Sequence, residues 1–163
     1  MNNEDWKKTA KELRAQGSLE KTLHFLNDLL SANPKDPSIY YQIAWTHDAL
    51  GKEADAVPAY EKAIALGLAA DEIEGAYLGL GSTYRALGDY NNSKRVFQEG
   101  IARFPNNGAL KVFYALTLHN LKDHAKAMET LIQELVRSTS DETTKAYGRA
   151  LLYYSDKLEQ TFE

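Results

Sequence analysis

Four histidines, His24, His47, His119 and His124, are the side chains of this 163-residue chain best suited to metal ligation or proton transfer, and their spacing favours neither. Helical metal sites place two imidazoles on one face, typically four residues apart. His119 and His124 are five apart and are expected to diverge on or across a helical turn. The acidic pairs Asp71-Glu72 and Asp141-Glu142 fall at expected helix starts, where the helix dipole already accounts for negative charge. Ser82 and Ser93 occupy positions where small side chains recur, and without a base neither is a credible nucleophile. The run Leu78 to Ser82, Leu-Gly-Leu-Gly-Ser, has the look of a phosphate loop, but it falls mid-helix and no lysine follows at the required spacing. No catalytic residue, metal ligand, cofactor or small-molecule substrate is therefore expected.

What the chain does carry is a repeated pattern. Four segments starting near Asn3, Pro37, Glu74 and Gly108 align in phase. Ala10, Ala44, Gly81 and Ala115 coincide where two helices would touch most closely and a large side chain would hold them apart. Leu13, His47, Tyr84 and Leu118 follow three residues later, then Gln16, Leu50, Leu87 and Leu121, on the face that helical spacing buries. Gly17, Gly51 and Gly88 suit a left-handed turn ending each first helix; Lys122 breaks this pattern, so the fourth turn is expected to be the least regular. Second helices carry the stripes Leu23, Leu26, Leu29, Leu30; Ala56, Tyr60, Ala63, Ile64; Ser93, Phe97, Gly100, Ile101; and Ala127, Leu131, Glu134, Leu135. Asp36 and Asn107 are expected N-caps, and Asp71 with Glu74 is spaced as a capping box near a junction about three residues longer than the others. Pro58 sits near the start of a second helix, where a kink is tolerated. Beyond the polar break Ser138 to Asp141, the stripe Ala146, Tyr147, Ala150, Leu151, Tyr154 and Leu158 predicts one capping helix over about 141–160.

Composition sets the bounds. A hydrophobic content of 44% is ample for a core, and one domain over 1–163 is expected, with units of about 3–36, 37–73, 74–107 and 108–140. The absence of cysteine removes disulfides and thiol chemistry and makes a cytoplasmic location the simplest expectation. No apolar run of spanning length or secretion signal is present, so no membrane partner is expected. A net charge of −4 gives no general attraction for phosphate backbones, and nucleic acid is not expected as a partner.

The third segment, Leu80-Gly81-Ser82-Thr83-Tyr84-Arg85-Ala86-Leu87-Gly88, followed by Phe97 and closed by Pro105, resembles the tetratricopeptide repeat, a helix-turn-helix unit of about 34 residues. The resemblance covers about Asn3 to Arg137 and the final segment. It implies an all-α, right-handed superhelical array of about four units plus a C-terminal capping helix. Arrays of this family most often bind other proteins, with first helices lining a concave groove. The family's groove positions fall here on Glu4, Lys7, Lys8, Lys11 and Arg14 in the first unit, Ser38, Tyr41, Gln42, Trp45 and Asp48 in the second, Gly75, Leu78, Gly79, Ser82 and Arg85 in the third, and Ala109, Val112, Phe113, Leu116 and His119 in the fourth. Chaperone-binding relatives clamp a terminal carboxylate; Lys7 matches the first lysine of that clamp. Lys11 and Gln42 replace its asparagines, and Gly75 and Gly79 replace its third-unit basic residues, so chaperone C-termini are disfavoured.

Taken with the resemblance, the groove predicts a protein or peptide partner with apolar anchors and an acidic group. Two alternatives stay open. The basic run can be a solvated face, and Tyr41, Trp45, Phe113 and Leu116 can face the capping helix or a second copy in a homodimer, for which the tyrosine-rich end Tyr147, Tyr153 and Tyr154 offers apolar surface.

Overall fold

Among residues 3–162, which this computed structural model describes, the regular structure is helical: α1 Asn3–Ala15, α2 Leu19–Ala32, α3 Pro37–Ala49, α4 Glu53–Leu66, α5 Ala70–Ala86, α6 Tyr90–Arg103, α7 Gly108–Asn120, α8 His124–Ser138, α9 Glu142–Ala146 and α10 Gly148–Tyr154. The first eight form four antiparallel pairs stacked into a right-handed superhelix, each pair packing on the next. None of the described helices is long and apolar enough to cross a membrane.

One turn geometry closes every pair. Gly17, Gly51 and Gly88 adopt φ of +71°, +68° and +79°. In each case the glycine N–H donates to the carbonyl three residues back, and the next residue's N–H donates to the carbonyl five back. Lys122 adopts φ +68° with the same two bonds, to His119 and Leu118. The fourth turn is thus as regular as the others, contrary to expectation: packing of α7 on α8 imposes the left-handed conformation on a residue that ordinarily avoids it.

Where paired helices meet, Ala10, Ala44, Gly81 and Ala115 are buried. A Cβ on Gly81 would lie 2.6 Å from the Phe97 ring, so the aromatic of α6 requires the missing side chain of α5. Buried residues gather in a central cluster running from Ala44 through Tyr60, Tyr77 and Phe97 to Leu110, flanked by a first-pair cluster of Trp6, Ala10, Leu26, Ile39 and Ile43. A third cluster, Ala115, Leu118 and Ala127, closes the fourth pair. Gln16 and Leu87, both expected to be buried, are exposed.

Asp36 and Asn107 cap α3 and α7 by accepting from Ser38 N–H and Leu110 N–H. The longer junction yields α5, at 17 residues the longest helix among those described, but Asp71 is not its cap. The helix starts two residues earlier than a cap at Asp71 would place it, after Ala69, whose side chain makes no capping bond.

The end of the array differs most from expectation. In place of one capping helix there are two short ones, broken at Tyr147 and followed by turn bonds from Lys157 N–H to Tyr154 and from Gln160 N–H to Lys157. The break changes the helical phase. Gly148 and Ser155 become buried, Leu151 is half-buried, and Tyr147, Tyr154 and Leu158 face solvent. Gly148 approaches α8 so closely that a Cβ would lie 3.2 Å from Val136 Cγ1, which explains why this side was chosen. With no full-length helix in front of it, Leu135 is left half exposed.

Candidate binding groove

The odd-numbered helices α3, α5 and α7 contact one another directly and form the inner layer. Their polar side chains pair largely one repeat period apart. Arg14 Nη1 donates to Thr46 Oγ1 at 3.2 Å and Nη2 to Gln42 Oε1. Thr83 Oγ1 donates to Asp48 at 2.9 Å, and Arg85 Nε donates to Asn120 Oδ1 at 2.8 Å. Asn107 Nδ2 donates to Glu74 at 2.6 Å, while Ser38 donates to Glu72. Lys7 reaches two pairs further, to Glu72 Oε1 at 3.1 Å.

These contacts change the character of the expected site. Lys7, Arg14 and Arg85 are committed to scaffold partners, while Lys11 is exposed. Burial pulls the Arg14 guanidinium below its ordinary value, yet it stays a cation and lies 4.2 Å from the centre of the Trp45 ring. Trp45 itself keeps 46% of its surface exposed, and Val112 and Leu116 keep 37% and 38%. Tyr41, Leu78 and Phe113 are half-buried and pack on the central cluster; the Phe113 ring lies 6.3 Å from that of Phe97. The structure therefore brings Arg14, Trp45 and Tyr41 onto one stretch of inner surface, with Val112 and Leu116 two pairs away on α7.

The departure from the carboxylate clamp has a steric cause. Tyr41 Oη lies where a Cβ on Gly75 would stand, and the Tyr60 ring lies where one on Gly79 would stand. Tyrosines from the preceding pair occupy the space that basic side chains would need.

Glu72 was expected to serve only the dipole of α5; it is buried and joins Lys7 to Ser38. The signal for it was available in the sequence as a complementary polar residue one period after Ser38. Ser82 donates to Gly79 O, and buried Ser93 donates to Gly81 O with Thr117 Oγ1 beside it, so both serines serve backbone and packing. His119 and His124 do not diverge: their Nδ1 atoms are 3.1 Å apart. The turn at Leu121 to Asp123 folds the end of α7 back onto the start of α8, which five-residue spacing on one helix would not do.

Asp48 is the most informative ionisable group on this surface. Burial pushes its carboxyl above the ordinary 3.8, outweighing the hydrogen bonds from Tyr60 and Thr83 that favour the anion. The folded chain thus holds this proton more tightly than the unfolded chain. Its stabilising effect is fully present below the ordinary value and is lost as pH rises through the raised one. Asp48→Asn keeps the shape: Oδ1 accepts from Tyr60, Nδ2 donates to Thr83, and the Thr83 proton goes to Gly79 O, 2.8 Å away. The unfolding midpoint of the variant is expected to rise relative to the parent between pH 4 and pH 7, read by urea titration at each pH. A constant difference would remove Asp48 from this role.

Comparison with known proteins agrees with this architecture. The family model described as Tetratrico peptide repeat matches residues 37–158. No curated protein matches the chain. Among solved structures, MamA 41-end from Desulfovibrio magneticus RS-1 is similar at 18% identity and TM-score 0.68, covering 96% of this chain and 99% of its own. YrrB, described as a TPR protein with an unusual peptide-binding site, is similar at 16% identity and TM-score 0.70, covering 93% and 77%. Pseudomonas aeruginosa PilF is similar at 16% identity and TM-score 0.72, covering 92% and 67%. At these identities the likeness is one of fold, and the family match over most of the chain carries the assignment: this chain belongs to the tetratricopeptide repeat family.

Proposed function

We propose that the protein is an interaction scaffold that binds a segment of another protein along its inner surface, without catalysis. One observation carries this reading. Trp45 is half exposed on the inner layer, held against Arg14, which is itself held by Gln42 and Thr46. A rigid aromatic face that costs little entropy to use is the usual anchor of a protein interface. Leu116 and Val112 extend apolar surface along α7, while Lys11 supplies a cation for an acidic side chain. Because the other groove cations have intramolecular partners, apolar contact contributes more to this binding than charge.

The test is a selection of short random peptides on the intact chain, followed by titration of the selected peptides. Trp45→Ala is expected to weaken their binding by about 1 to 3 kcal/mol, roughly 5- to 150-fold. Peptides that bind the variant as tightly as the parent would move the site elsewhere.

A second reading, self-association, is favoured by a different observation. Leu135, Leu152, Tyr153, Tyr154, Leu158 and Phe162 are all exposed at the C-terminal end, and the rings of Tyr153, Tyr154 and Phe162 cluster there 5.1 to 6.0 Å apart. A patch of this kind suits a two-fold contact between copies. Light scattering over a wide concentration range separates the two uses: a monomer at every concentration would end the dimer reading.

A further inference from the structure

We infer that His119 and His124 form a chelating site for a divalent late transition metal of the copper, nickel or zinc class. The inference stands apart from the groove reading. His119 occupies the position that Arg14, Asp48 and Arg85 hold in the earlier pairs, and each of those three bonds to a side chain of the next pair. Among the described residues no fifth pair follows α7 and α8, only the short helices α9 and α10. His119 turns instead to the first residue of α8, and the rings meet with centroids 4.6 Å apart.

Three features make this a chelate and not a chance contact. The Nδ1 atoms are 3.1 Å apart. With metal–nitrogen bonds of about 2.0–2.1 Å, that separation subtends an angle of roughly 95–100° at the metal, between square-planar and tetrahedral values. The backbone holding the rings is closed by hydrogen bonds from Leu121, Lys122 and Asp123 N–H to α7 carbonyls, and by Asp123 capping Lys126 N–H, so little backbone entropy remains to be lost. Both rings are exposed at the mouth of an apolar trough lined by Leu116, Met128 and Leu131, which gives the ion an approach from solvent.

Between two neutral imidazoles the protons balance. In the free protein one Nδ1 donates its hydrogen to the other. On binding, that proton moves to Nε2 of its own ring, both rings become Nε2–H tautomers, and two lone pairs face the metal with no net proton release. Among the described residues no cluster of three or more potential ligands forms, so water completes the coordination and the site is open and exchangeable. Glu159 lines the same trough and is a candidate for a water-mediated contact.

Zinc(II) titrated into the untagged full chain, followed by NMR of the imidazole resonances, tests this. His119 and His124 are expected to shift together and saturate at one metal per chain. His119→Ala and His124→Ala, each checked for an unchanged melt without metal, are expected to bind at least about tenfold more weakly, the gain that a second tethered ligand confers. His24, exposed beside Asp28 on α2, serves as the single-imidazole control, and His24→Ala is expected to leave zinc binding at the pair unaltered. Zinc should raise the melting temperature of the parent and of His24→Ala but not of the other two. Equal affinity in the parent and the single-histidine variants, or a His24 response matching that of the pair, would overturn the site.

Discussion

Phe97→Ala is expected to destabilise the protein by about 3 to 5 kcal/mol, a large share of the roughly 5 to 15 kcal/mol that holds a domain folded. Its ring is fully buried in the central cluster, against Gly81 on α5 and beside Phe113 on α7, so its loss empties space bordered by two neighbouring helix pairs. Because the cluster runs from the second pair into the fourth, the damage cannot be confined to one end, and urea unfolding should remain a single transition at a lower midpoint. Gly81→Leu attacks the same contact from the opposite side, at a cost of about 1 to 3 kcal/mol through overpacking. Combined, the two changes should cost less than their sum, since the truncated ring leaves the room that the new side chain needs. Additive losses would show that Gly81 and Phe97 do not share this space.

Leu26→Ala should cost about 2 to 5 kcal/mol in contacts but show a different signature. Leu26 is fully buried in the first-pair cluster with Trp6, Ala10, Ile39 and Ile43. In a stacked array each pair leans only on its neighbours, so a terminal pair can open while the rest persists. Amide exchange is expected to accelerate through α1 and α2 and to stay unchanged in α7 and α8. Emission of Trp6, buried in the parent, should shift red at a lower urea concentration than the loss of overall helicity. Uniformly faster exchange across the chain would mean that the four pairs unfold as one unit.

Much of this architecture is legible in the sequence because the determinants are local and repeated. Small residues at Ala10, Ala44, Gly81 and Ala115 come from a close approach that recurs in each pair, and the N-caps Asp36 and Asn107 act within three residues of themselves. The candidate groove was legible in position but not in state. Its cations, Lys7, Arg14 and Arg85, could be placed on the inner layer by counting, yet their partners Glu72, Gln42, Thr46 and Asn120 lie 28 to 65 residues away and meet them only through stacking.

The repeat signal, a periodic pattern of small and apolar side chains, by itself determined the helix pairs, their order and the family, because helical period and turn chemistry are properties of short stretches of chain. Only the tertiary structure decided where the pattern ends. Lys122 takes a glycine's conformation in the turn that packs α8 back against α7. The last segment splits at Tyr147 because Gly148 can sit directly against Val136. The two histidines expected to diverge meet because a turn, not a helix, lies between them. In each case the deciding contact joins residues whose distance in space the local pattern does not encode.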